Sequence, residues 1–214
     1  MRRRLLIASN NSGIPREFTR VSYIQKNGHT QYIDTGVVAK PEWTYGFDFE
    51  RLGTFNYLCG SDTGHAGVGF NIAIALYDEH QGLRVLSFKS ANGTSDNLDS
   101  SSIFPEINKR ILIIKSPTKF QIGDKEFNFV NGTLYNNWNL TIFTTNRNKV
   151  PQVAPVFEQN YRLYRFWIED ANGDYIRNML PCKDKENKPC MYDTVSQQAF
   201  YNAGTGKFIA GGEI

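Results

Sequence analysis

Apolar and polar residues alternate along most of this chain with a period of two, the pattern of half-buried β-strands. The cleanest run is residues 44–50, where Tyr45, Phe47 and Phe49 share one face and Thr44, Gly46, Asp48 and Glu50 the other. Phe70, Ile72, Ile74 and Leu76 repeat the pattern, and Leu83, Val85 and either Leu86 or Phe88 continue it. Val21 and Tyr23, then Tyr32 and Ile33 beyond an Asn27-Gly28 turn, predict an opening pair of strands. Residues 55–59 predict a short strand ending at Gly60-Ser61-Asp62. The aliphatic run 111–114 predicts a core strand buried on both faces. Phe120 and Ile122 mirror Phe127 and Phe129 across Gly123-Asp124, which predicts a hairpin. Leu140, Ile142 and Phe143 predict one further strand, and Tyr164, Phe166 and Ile168 another before Asn172-Gly173. Residues 97–108 are polar and Ser-rich, and residues 150–157 carry Pro151 and Pro155, so both segments read as connections.

Asn-Gly dipeptides at 27/28, 92/93, 131/132 and 172/173 punctuate these runs, and both residues of the pair tolerate the positive φ of tight hairpins. Strand patterns recur with no long helical pattern between them, which argues for an all-β sandwich or barrel. The last such unit is residues 191–208, MYDTVSQQAFYNAGTGKF. There Tyr192, Phe200, Tyr201 and Phe208 flank a turn built from Asn202, Ala203, Gly204, Thr205 and Gly206. The other end differs. Residues 1–17 form an arm with a basic tip (Arg2, Arg3, Arg4), a short apolar patch (Leu5, Leu6, Ile7) and a polar stretch up to Pro15. Two roles are open for it: folding back on its own sheet, or adding a strand to a neighbour's edge. No repeat or linker divides residues 18–214, so the expected organisation is one β-domain plus the arm.

Composition adjusts this picture in a few places. Aromatic residues make up 14% of the 214 positions, which favours packed sheets. The net charge of +3 is too small, and its basic residues too dispersed, to indicate nucleic-acid binding. Cys182 and Cys190 flank a charged loop and could pair, while Cys59 stands apart. His29, His65 and His80 are scattered, so a zinc site is not expected. The apolar stretch near the start is shorter than the ~7–15 residues of a secretory core. No segment reaches the ~18–20 apolar residues of a membrane span. The expectation is a soluble protein made and kept in the cytosol until assembly, in which the Asn-x-Ser/Thr matches at Asn10, Asn92, Asn131 and Asn139 are chance.

Three kinds of chemistry are worth weighing. Sandwich glycosidases place carboxylates at alternate positions of one strand. Here Gly46 occupies the first such position and only Asp48 and Glu50 follow, a pairing expected of the solvent face of an amphipathic strand rather than of an active site. A lectin-like site needs an aromatic platform with polar neighbours. Of Trp43, Trp138 and Trp167, Trp138 fits best, within a polar stretch that includes Tyr135 and Asn137. Calcium would need several oxygen ligands, and Asp62, Asp78 and Asp96 are available without a diagnostic spacing, so no cofactor is assigned.

Both ends of the domain carry a family likeness. Residues 23–37, YIQKNGHTQYIDTGV, resemble the opening of a concanavalin/laminin-G-like sandwich family through Gln31, Tyr32, Ile33, Asp34, Thr35 and Gly36. They depart from it at Lys26, Asn27, Gly28 and His29, where a small Ser-Thr-Gly turn is usual. Residues 162–182, RLYRFWIEDANGDYIRNMLPC, resemble the family's penultimate hairpin, and MYDTVSQQAFYNAGTGKF its closing one, with Cys190 replacing a small residue. The resemblance implies a jelly-roll-like sandwich of two antiparallel sheets. It also implies a setting, because such domains recur in capsid-surface, tail and fibre proteins of phages and in surface proteins of gut bacteria. The expected function is therefore a non-enzymatic virion component. Its partners would be capsid, portal or tail proteins and further copies of itself, with the arm (Arg2, Arg3, Arg4, Leu5, Leu6, Ile7) as anchor. The alternative is a carbohydrate-binding module engaging host surface glycans through Trp138, Tyr135 and Asn137. Nucleic acid and membrane are not expected partners.

Overall fold

A computed structural model describes residues 13–28, 30–53, 56–62, 70–76, 83–89, 106–128, 137–147, 150–151 and 161–214. The described residues contain strands and turns but no helix, so none is long and apolar enough to cross a membrane. In chain order the strands begin with β1 (Phe18–Arg20), β2 (Ile24–Gln25), β3 (Ile33–Val38), β4 (Thr44–Arg51), β5 (Asn56–Asp62) and β6 (Phe70–Leu76). Next come β7 (Leu83–Lys89), β8 (Arg110–Lys115), β9 (Lys119–Ile122), β10 (Lys125–Asn128), β11 (Asn139–Ile142) and β12 (Asn146–Arg147). The last are β13 (Val150–Pro151), β14 (Tyr161–Glu169), β15 (Tyr175–Asp184), β16 (Pro189–Asp193), β17 (Gln198–Tyr201) and β18 (Ile209–Ala210).

These strands form a large antiparallel sheet and a smaller one. The large sheet runs β10-β9-β8-β4-β14-β15-β16-β17. The smaller joins β5 to β11 and β3 on one side and to β6 and β7 on the other, with β12 and β13 at its end. One apolar core lies between the two sheets. The large sheet contributes Tyr45, Phe47, Phe49, Ile113, Leu163, Phe166 and Met179, and the smaller Ile33, Leu58, Ile74, Leu140 and Ile142. The Phe47 and Phe166 rings lie 4.9 Å apart across β4 and β14. Each fully buried aromatic of this kind contributes ~1.5–3 kcal/mol. The period-two reading of residues 44–50 thus placed the right residues inside.

Several local expectations are corrected. Asn27-Gly28 does not close a hairpin, because β2 pairs with β14 and β18 while β3 pairs with β11 in the other sheet. Gln31 shapes this crossover, its amide oxygen accepting from Asn27 N and its amide nitrogen donating to Asn27 O. Gly60 and Ser61 do not end β5, which continues to Asp62. Glycine is needed there because the Thr145 side chain packs directly against its Cα. In β8 only Ile113 and Lys115 are buried, while Ile111, Leu112 and Ile114 are half-buried. That strand lies in a sheet with one face on the core and the other open. Phe143 ends β11 rather than extending it. It adopts φ 70, a conformation costing ~1–3 kcal/mol for a non-glycine residue, and its ring stacks on Tyr161 at 4.5 Å.

Residues 18–25 occupy a seam. β14 and β15 pair from Phe166↔Met179 onward but diverge at the other end. β2 pairs with β14 at Arg162 and Leu163, and β1 with β15 at Cys182 to Asp184, so the two short strands fill the wedge. The C-terminal segment closes the same seam through β18 on β2 and a bridge between Val21 and Glu213.

Candidate functional site

The two signature stretches at opposite ends of the sequence meet in space. Asn202 Oδ1 accepts from Tyr32 N at 3.1 Å, Ala203 N donates to Tyr32 O at 2.9 Å, and Thr30 Oγ1 donates to Thr205 O at 3.0 Å. Gly204 lies so close to Thr30 O that a Cβ there would overlap it. Asp193, fully buried, organises the closing hairpin. Its carboxylate accepts from Asn178 N at 2.7 Å, from Ser196 N at 3.2 Å and from Ser196 Oγ at 2.7 Å, and faces Arg177 at 3.5 Å. These residues build the scaffold.

The chemistry that reaches solvent lies on the outer face of the large sheet. Asp48 accepts two bonds from Arg110, at 2.7 and 2.6 Å. Glu50 accepts from Arg162 at 3.1 Å and from the Tyr164 hydroxyl at 2.6 Å. Arg110 stacks on Tyr164 at 4.0 Å and Arg162 on Tyr23 at 4.7 Å. The Arg110 pKa is raised by its hydrogen bond to Asp48, and burial together with the bond to Glu50 pushes the Tyr164 hydroxyl up to about 12. Asp48 and Glu50 do share a face, as their spacing indicated, and each is held by a guanidinium.

A β-bulge extends this strip. The register of β14 against β4 shifts between Leu163 and Arg165. Tyr164 is the extra residue, so Tyr164 and Arg165 both reach the outer face while Leu163 and Phe166 stay in the core. Arg165 Nε donates to Asn178 Oδ1 at 2.9 Å, and its NH2 group donates to the Tyr175 hydroxyl at 3.0 Å. Its guanidinium stacks over Trp167 at 4.7 Å. The Trp167 ring also lies against Gly46, where any side chain would overlap it. Trp167 is consequently 7% exposed and forms a floor, whereas Tyr175 is 43% exposed and forms the open aromatic edge.

Of the residues singled out from sequence, Arg2, Arg3, Arg4, Leu5, Leu6, Ile7 and Tyr135 lie outside the described residues, as do Asp78 and Asp96. Asn137 is exposed and Trp138 half-buried, just before β11 in the smaller sheet and so apart from the strip. Among the described residues no group of three or more His, Cys, Asp or Glu could hold a metal ion. Cys182 and Cys190 stand opposite each other across β15 and β16 as buried free thiols. With Tyr192 they form a small apolar cluster on the outer face, covered by Ile14 and Phe18. The described end of the arm therefore lies against its own sheet. Sequence reading missed Arg20, Arg165, Tyr175 and Asn178, because nothing in RLYRFW announces the bulge that turns Arg165 outward, and no local pattern announces the seam that brings Arg20 to this face.

No protein-family model matches the chain, and no curated protein matches it.

Proposed function

We propose that this chain is a non-enzymatic structural protein of a bacteriophage particle. It is a jelly-roll sandwich displayed on the surface as a capsid decoration, head-fibre or tail component, and it aids attachment to the host surface. Residues 1–17 anchor it to capsid, portal or tail proteins, and copies of the chain associate with one another. The reading rests on the sequence resemblance at both ends. The observation that supports it best is the fixed root of the arm: Ile14 and Phe18 pack on the Cys182/Cys190/Tyr192 cluster, and β1 and β2 are wedged into the sheet seam. An arm rooted in this way transmits its position to the whole domain. The clean test removes residues 1–12, since Ile14 belongs to the domain's packing. The truncated chain is expected to melt cooperatively near the full-length temperature but to be missing from purified particles. Normal incorporation would rule out the anchor.

A second reading, a carbohydrate-binding adhesion module, is favoured by the outer-face strip. Arginine, tyrosine and asparagine groups converge there on an open sheet surface, the arrangement used to hold sugars by stacking and directional hydrogen bonds. A glycan array separates it from a purely structural role. No retained glycan, with either the wild type or a Trp138→Ala variant, would rule it out.

A further inference from the structure

Among the described residues four arginines reach the outer face of the large sheet, and they divide into two kinds. Arg110 and Arg162 are each neutralised by a carboxylate of β4, Asp48 and Glu50. Arg20 and Arg165 have no carboxylate partner among the described residues. Arg20 stands opposite Cys182 on β15, and Arg165 lies one alternate position along, beside the Phe166↔Met179 pair. Residues two apart on one strand face are ~7 Å apart, so the two arginines are rooted beside the same short stretch of β15. Burial lowers the Arg20 pKa, with the Cys182 thiol acting the other way and the Arg165 charge adding to the lowering, the direction expected of two like charges on one sheet face. Arg20 Nε is buried and has no hydrogen-bond partner. Arg165, by contrast, is held rigid by Asn178, Tyr175 and the Trp167 ring, so its orientation is set before anything binds.

We propose that Arg20 and Arg165 form a binding site for a carboxylate-bearing sugar, of the uronic or sialic acid kind, with Tyr175 as its stacking wall. Two like charges side by side without a counter-ion are repulsive, and an anion between them removes that cost. A guanidinium fork matches a carboxylate with two parallel hydrogen bonds. The half-exposed Tyr175 ring, 5.5 Å from the Arg165 guanidinium, offers an apolar face to the sugar ring beside its acid group. The inference rests on the attachment reading above and supplies its ligand class, at a place distinct from Trp138.

The test is calorimetric titration of the full chain with glucuronate, N-acetylneuraminate, glucose and sodium sulfate at matched ionic strength. At least one acidic sugar should bind about tenfold more tightly than glucose or sulfate, and more weakly as salt rises. Arg165→Gln and Arg20→Gln should each lower that affinity about tenfold, with melting temperatures near the wild type showing that the sheet is intact. Trp138→Ala should leave it unchanged. Equal binding of glucose, equal binding of sulfate, or undiminished binding by both arginine variants would overturn the proposal. Absence of binding by either acid would do so too, and would leave the particle-anchor reading untouched, since that is judged by incorporation of the 1–12 deletion.

Discussion

Asp193 offers a quantitative test of how the closing hairpin is held. Its carboxylate is fully buried, faces Arg177, and accepts from three backbone amides and a hydroxyl of β15 and the turn after β16. Asp193→Ala removes every acceptor at once. Deleting one partner of a buried ion pair costs ~3–5 kcal/mol, because the remaining charge is stranded. Arg177 keeps bonds to Thr35 O and Ile176 O, which relieves part of that cost and points to the lower end of the range. The orphaned Asn178 and Ser196 amides add back ~1 kcal/mol or more each. The expected loss is therefore about 5 kcal/mol, or roughly 15 °C in melting temperature for a chain of this size. Asp193→Asn keeps one acceptor oxygen and should lose about half as much. Urea denaturation followed by tryptophan fluorescence measures both, and amide exchange at Asn178 reports the local opening. An alanine variant within ~1 kcal/mol of the wild type would refute the assigned role. So would an asparagine variant less stable than the alanine one.

Other consequences are equally direct. Gly46→Ala forces a methyl into the Trp167 ring and should cost ~1–3 kcal/mol while altering tryptophan emission; an unchanged spectrum and stability would contradict the contact. Burial pushes the Lys115 pKa down to about 7 and that of Lys26 to about 8, so the unfolded chain binds protons that the folded chain has released as pH climbs toward the ordinary value of 10.5. Through these two lysines stability should therefore rise from pH about 7, until near pH 9 the buried thiols, which ionise more readily in the unfolded chain, oppose the rise; Lys115→Met should flatten its lower part in pH-dependent urea titrations. The thiols of Cys59, Cys182 and Cys190 are buried, with burial raising the pKa of each, so an aromatic disulfide reagent should label them only after denaturation. Fast labelling of the native chain would contradict that packing.

Much of the fold was legible in the chain because its cause is local. The alternation of Tyr45, Phe47 and Phe49 with Gly46, Asp48 and Glu50 dictates one wet and one dry face whatever the strand pairs with. The hairpins at Gly123-Asp124 and Asn172-Gly173 follow from turn chemistry of the same kind, and Gly123 and Gly173 adopt φ 54 and φ 88. Asn27-Gly28 misled because a turn sets only the chain's local direction. Its flanking strands joined different sheets once Gln31 and the Tyr32–Asn202 contact were satisfied across the fold. The outer-face strip lay further from view. Arg162 and Arg165 are three apart, which on a regular strand puts them on opposite faces. Only the register against β4, settled by long-range packing of Leu163 and Phe166 in the core, makes Tyr164 a bulge and turns both arginines outward. The sequence by itself determined an all-β chain and which residues go inside, because burial is a property of each residue's own chemistry. Tertiary structure alone decided that Arg20, brought by the seam between β14 and β15, shares a sheet face with Arg165 and that neither meets a carboxylate among the described residues. That depends on which strands become neighbours, and no local pattern encodes it.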